Sequence, residues 1–170
     1  MEYSRRLEIF ERVKAEHTRL LTSVLWKLTG DREVFADALQ YALLEMWRHV
    51  EKLDGKKAGA YIYRIALSAN SKAWRNRIGR DGQIHEDQVG TDKEPQERVS
   101  SNEAAEVVRQ AISRLPEKQA GAIVMRYLEQ QSYEAIAGKL ACSEAGARSH
   151  VSKALATLKG KLATVTKGGE

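Results

Sequence analysis

SYEAIAGKLACSEAGARSHVSKALATL, residues 132–158, is the stretch on which the fold turns. Ile136, Ala137 and Leu140 make a short apolar face that stops at Ala141-Cys142-Ser143. A longer segment follows, with Ala147, Val151, Ala154, Leu155 and Leu158 at helical spacing. Ser132 and Ser143 stand where hydroxyls cap helix starts. Two helices joined by so tight a turn have the proportions of a helix-turn-helix. Ser143 and Glu144 open the second helix, and Arg148, Ser149, Ser152 and Lys153 fall on its outward, N-terminal half. A recognition helix carries its base-reading and phosphate-binding groups there. Arginine can grip guanine through two hydrogen bonds, and lysine and serine suit phosphates. A plain helical hairpin with exposed basic residues gives the same spacing, and both readings stand at this point.

Moving upstream, Val107, Val108, Ala111, Ile112 and Leu115 form another apolar stripe, and Pro116 suits the first turn of a helix towards Leu128. From Gly79 to about Ala104 the apolar period vanishes, and Gly79, Gly82, Gly90 and Pro95 accumulate. Residues 81–106 hold eight acids against two bases, whereas the rest of the chain holds 26 bases against 15 acids. The stretch reads as a flexible acidic linker over residues 81–104, able to reach about 80 Å when extended. Basic segments on either side suit a polyanion such as nucleic acid, or are simply solvated helix faces.

The first half is helical too. Leu7, Phe10, Val13, His17, Leu20, Leu21, Val24 and Leu28 mark a helix over residues 5–29, ended by Gly30. Asp31 caps a second, to about Leu53, with Phe35, Leu39, Ala42, Leu43, Met46, Val50 and Leu53 inward. Asp37, Gln40, Tyr41, Glu45 and Arg48 share its other side. A third helix over residues 58–78 buries Ile62, Ile65, Ala66, Ala69 and Ala73, leaving Tyr61, Arg64, Ser68, Lys72 and Arg75 on the opposite face. Aromatic and basic groups in one row suit single-stranded DNA, because rings stack on bases and cations follow phosphates. Tyr61 and Tyr63 serve equally as half-buried core. The expected class is all-α, with two small helical domains at residues 1–80 and 105–170, the second a helix-turn-helix.

Several functions find no support. One cysteine, Cys142, forms no internal disulfide and reads as a small apolar filler. His17, His49, His85 and His150 show no metal-ligand spacing, and no phosphate loop or nucleophile motif occurs. No enzyme, metal or cofactor is expected. The charged N-terminal segment lacks the apolar core of a signal peptide, no apolar run reaches a membrane span, and a cytoplasmic location is expected.

The run AISRLPEKQ (residues 111–119), then VMRYL (124–128), SYEAIA (132–137) and SKALATL (152–158), resembles the C-terminal domain of bacterial sigma factors. The two-domain format resembles the extracytoplasmic-function (ECF) subfamily. ADALQ (36–40) with EMWR (45–48) is similar to the helix that docks on core RNA polymerase, and YIYRIA (61–66) with WRNR (74–77) to the promoter-melting helix. The resemblance implies a non-enzymatic initiation factor that binds core polymerase, directs it to promoters and helps open DNA, with an anti-sigma factor as a further partner. Polymerase contacts fall on Asp37, Gln40, Tyr41, Glu45 and Arg48. Contacts to the melted minus-ten strand fall on Asp54, Lys56 and Lys57 of the loop that holds a flipped base, and on Tyr61, Arg64, Ser68, Lys72, Trp74 and Arg75. Contacts to the minus-thirty-five duplex fall on Ser143, Glu144, Arg148, Ser149, Ser152 and Lys153. Trp47 is expected in the core, and the linker is expected to lie along the polymerase's nucleic-acid path.

The chain departs from the family at Lys72, where an acid is usual, at Ser68, near which asparagine is usual, and at Ala135, Gly146, Ala147 and Lys153. Ala135 removes the carboxylate half of a capping box, and Gly146 costs on the order of 1 kcal/mol in a helix. Two rival readings are a free-standing helix-turn-helix regulator, which leaves the faces of the first half idle, and a protein-only adaptor, which predicts no salt-dependent DNA binding.

Overall fold

The computed structural model describes residues 2–87 and 101–167, which form seven α-helices, one 3₁₀ turn and no strand. No described helix is long and apolar enough to cross a membrane. Helix α1 (Tyr3–Thr29) buries Ile9, Val13, Leu21, Val24, Leu25 and Leu28. Gly30 closes it at φ 58°, and Asp31 caps α2 (Arg32–Arg48) by accepting from the Glu33 and Val34 N–H groups at 2.9 and 3.0 Å. These stop and start signals fall where the sequence puts them.

The expected stripe of α2 is rotated. Val34, Ala38, Ala42 and Met46 are buried, while Phe35, Leu39 and Leu43 flank the core half-buried. Alanine at 38 and 42 allows a partner helix to lie close, which a purely hydrophobic count does not weigh. The helix also stops at Arg48 rather than near residue 53, and a 3₁₀ turn (Val50–Leu53) follows. That tighter turn sends both Val50 and Leu53 inward.

Helix α3 (Ala58–Asp87) runs antiparallel to α2, since Tyr61 meets His49 at one end and Arg80 meets Asp37 at the other. It continues through Gly79 and Gly82, and α4 (Ser101–Ser113) begins before residue 105, so residues 81–87 and 101–104, expected as linker, are helical. Each glycine costs about 1 kcal/mol in a helix. Arg77 offsets it by joining Glu33 at 2.7 Å and Asp81 at 3.3 Å, and Arg80 joins Asp37 at 2.9 Å. Contacts with α2 thus hold a helix that local signals would end. The remaining linker, residues 88–100, lies outside the described residues.

Helices α5 (Glu117–Tyr127), α6 (Tyr133–Leu140) and α7 (Glu144–Lys167) complete the second unit with α4. Ile112, Leu115, Ile123, Val124, Met125, Ile136, Leu140, Val151 and Leu158 fill its core. Ala141 ends α6 in the left-handed region, φ 52° and ψ 51°. For a residue with a Cβ that conformation is strained by about 1–2 kcal/mol, part of which glycine would lose again to unfolded-state entropy. Ala141→Gly is expected to stabilise the chain by about 0.5–1 kcal/mol, read as a rise in thermal midpoint.

The two units touch one another, although a linker of that length is long enough to hold them apart. At Gly121 of α5 a Cβ would stand 2.9 Å from a Leu67 methyl of α3 and 3.0 Å from a Leu140 methyl, so a larger residue here would make both leucine side chains shift. Arg64 of α3 pairs with Glu117 of α5 at 2.9 Å. Arg109 of α4 donates from Nε to the Lys27 carbonyl at 3.3 Å, covering Gly30 and the C-terminal end of α1. Buried residues of both units form one cluster.

Candidate nucleic-acid interface

Helix α7 begins where Ser143 accepts from the Gly146 N–H at 3.0 Å. Ser132 caps α6 in the same way, accepting from the Ala135 N–H at 3.1 Å. With alanine at 135 no carboxylate answers back, so Ser132 works as a single cap. Ala147, Val151, Ala154 and Leu158 bury one side of α7, and Ser143, Glu144, Arg148, Ser149, Ser152 and Lys153 are exposed. The expected duplex-reading residues are brought together on one outward face. Arg148 lies over the Tyr133 ring at 4.7 Å, and Arg126 lies over the same ring at 4.4 Å.

Helix α3 presents a second row. Arg64, Ser68, Lys72 and Arg75 are exposed along it, and Tyr61 is half-buried against His49, ring centroids 6.2 Å apart. Asp54, Lys56 and Lys57 are exposed in the loop before α3, and Arg12 of α1 pairs with Asp54 at 2.5 Å. On α2, Gln40 and Arg48 are exposed while Asp37, Tyr41 and Glu45 are half-buried at the α3 boundary. Asp37 holds Arg80, Glu45 holds Arg48 at 2.6 Å, and the Tyr41 hydroxyl accepts from Asn76 at 2.5 Å. Among the described residues no group of three or more His, Cys, Asp or Glu side chains could hold a metal ion.

Residues 14–80 match the family model for Sigma-70 region 2, and residues 105–158 match that for Sigma-70, region 4. An RNA polymerase sigma-E factor of Streptomyces antibioticus is 31% identical over 133 residues, covering 75% of this chain and 70% of that protein. This chain belongs to the sigma-70 family of RNA polymerase sigma factors. The sigma factor SigZ of Bacillus subtilis (strain 168) is 28% identical over 131 residues, 76% of this chain and 73% of that protein. A solved structure of the sigma factor RpoE from Bartonella quintana, in complex with the anti-sigma factor NepR, overlays with a TM-score of 0.46 at 18% identity, covering 90% of this chain and 96% of that one. Regions 2 and 4 are the two-region format of the ECF branch. Sigma factors are non-enzymatic initiation factors.

Within this sigma factor one expected DNA contact is corrected. Trp74 is 1% exposed, and its indole N–H donates to the Leu28 carbonyl at 3.3 Å. It locks α3 to the end of α1 and cannot stack on a base. Tyr63, left open by the sequence, is core, with Lys139 5.8 Å from its ring centroid. Asn70 is buried, whereas Lys72 is exposed over the Tyr41 ring at 4.4 Å. Trp47 is half-buried, edge-on to Tyr3 and Phe10 at 5.9 and 5.5 Å.

Sequence reasoning missed three participants. Arg12 sits far from the loop in sequence, Glu117 meets Arg64 only when the units pack, and Tyr133 meets Arg148 only when the helix-turn-helix closes. His150 adds a pH response. Burial, then Lys118 and Lys153, hold its pKa below the ordinary 6.5. Protonation therefore favours the unfolded chain, so this contribution is present above about pH 6.5 and lost as the pH falls. The thermal midpoint is expected to fall more steeply between about pH 7 and pH 5.5 than that of His150→Gln; parallel pH profiles for the two proteins would remove His150 from the account.

Proposed function

We propose that this sigma factor divides promoter work among three faces. Asp37, Gln40, Tyr41, Glu45 and Arg48 on α2 dock on core RNA polymerase. The loop with Asp54, Lys56 and Lys57, and the α3 row of Tyr61, Arg64, Ser68, Lys72 and Arg75, take the melted minus-ten strand. The α7 face of Ser143, Glu144, Arg148, Ser149, Ser152 and Lys153 grips the minus-thirty-five duplex. The observation that carries this reading is the exposed α7 face on a helix whose other side is core, matched by a second polar row on α3. Extruding a base from the duplex costs a few kcal/mol, which the loop and Tyr61 help to offset. On strand capture Arg64 exchanges the Glu117 carboxylate for a phosphate, a like-for-like replacement of one anion by another. The chemistry of RNA synthesis belongs to the polymerase, the work is done in the cytoplasm, and an anti-sigma factor is the third partner.

Run-off transcription with core polymerase on genomic fragments, with start sites mapped, tests the reading. Discrete start sites dependent on this chain are expected. A chain that directs no initiation, and instead binds operators tightly without polymerase, is a free-standing regulator.

A further inference from the structure

Arg148 is the outward residue best suited to reading a base, yet an arginine free in solvent surrenders rotamer freedom whenever it meets one. Here it is not free. Its guanidinium carbon lies 4.7 Å from the Tyr133 ring centroid, and no carboxylate pairs with it among the described residues. Tyr133 is the first residue of α6, directly after the Ser132 cap, so its backbone is fixed. Arg126, at the end of α5, lies over the same ring at 4.4 Å and donates to the Gln131 carbonyl at 3.0 Å, tying the ring to the α5–α6 turn. A guanidinium resting on an aromatic face uses its π surface and keeps its in-plane N–H donors available. Guanine presents O6 and N7 to that edge in the major groove.

We infer that Tyr133 is a positioning residue for duplex recognition: it holds Arg148 by stacking so that the guanidinium edge enters the major groove already ordered. The inference rests on the reading of α7 as the minus-thirty-five reader. Tyr133 itself touches no base in this scheme; its effect passes through Arg148.

The test uses holoenzyme assembled from core RNA polymerase and the full chain. The probe is the duplex that wild type selects from a pool randomised in the upstream element, with its single base-pair variants. Tyr133→Phe keeps the ring and should keep the preference. Tyr133→Leu should lower discrimination at the base pair read by Arg148 by roughly tenfold, leaving other positions unchanged. In an Arg148→Ala background Tyr133→Leu should have no further effect, because the two act as one unit. Additive losses, or a phenylalanine variant as poor as leucine, would overturn the inference. If Arg148→Ala loses discrimination while Tyr133→Leu does not, only the positioning role falls. If Arg148→Ala changes nothing, the duplex-reading face falls with it. A readout independent of binding is the Arg148 Nε–H resonance of the free chain. It should be shielded by the ring in wild type and Tyr133→Phe and move downfield in Tyr133→Leu, and an unmoved resonance excludes the stack.

Discussion

Trp74→Ala is expected to cost about 3–5 kcal/mol of folding stability, the range for deleting a large aromatic from a packed core. Trp74 is among the largest fully buried side chains, beside Ala73 and Ala69 on α3, and its indole N–H satisfies the Leu28 carbonyl near the end of α1. Truncation removes the ring, opens a cavity and strands that carbonyl at once. Small domains have only about 5–15 kcal/mol in reserve, so urea unfolding should show a midpoint collapse or no folded baseline. Trp74→Phe keeps most of the volume and should fold with a smaller loss. The comparison separates the two roles given to this residue. If it were a strand contact, alanine would leave the melt unchanged and reduce only DNA capture. A melt that matches wild type would return Trp74 to the DNA face.

The sequence points Trp74 towards DNA for a physical reason. Five residues on α3, from Tyr61 to Arg75, share one face at helical spacing, and the WRNR run places an aromatic among cations, the composition a strand-binding face requires. Composition cannot tell which side of the helix Trp74 occupies once α1 and α2 both pack on α3. The helix wraps its buried side wider than one stripe, enclosing Tyr63, Leu67 and Asn70 as well. By contrast, Asp31, Gly30, Ser132 and Ser143 act through groups within a few residues, and each behaves as its local chemistry dictates. The same contrast explains the linker. Gly79 and Gly82 are local signals for a helix end, but Arg77 and Arg80 answer acids of α2 more than 40 residues away. The outward residues of α7 were legible because one helix, packed on one side, has only one face to offer. The contacts that join the units were not, since Arg64–Glu117 and Leu67 against Gly121 arise only when the two helical units meet.

Replacing Asp37 by arginine and Gln40 by alanine together should abolish stable association with core polymerase, a loss of at least about 100-fold, because placing like charges across an interface costs several kcal/mol. The fold should survive. The buried stripe of α2 is Val34, Ala38, Ala42 and Met46, untouched by either change. The bond lost inside the chain is the Asp37–Arg80 pair, a partly exposed contact worth about 0–1 kcal/mol. Circular dichroism and the thermal midpoint should stay near wild type while polymerase pull-down fails. Asp37 also steadies the end of α3 through Arg80, so a fall in binding has two possible origins, and a charge swap divides them. Asp37→Arg combined with Arg80→Asp restores an ion pair between α2 and α3 with its sign reversed. If docking depends on the outward charge of α2, the swap stays defective. If it restores holoenzyme assembly, Asp37 serves to hold α3 in place and the polymerase face must be sought elsewhere. Normal assembly of the first double variant would remove Asp37 and Gln40 from that face altogether.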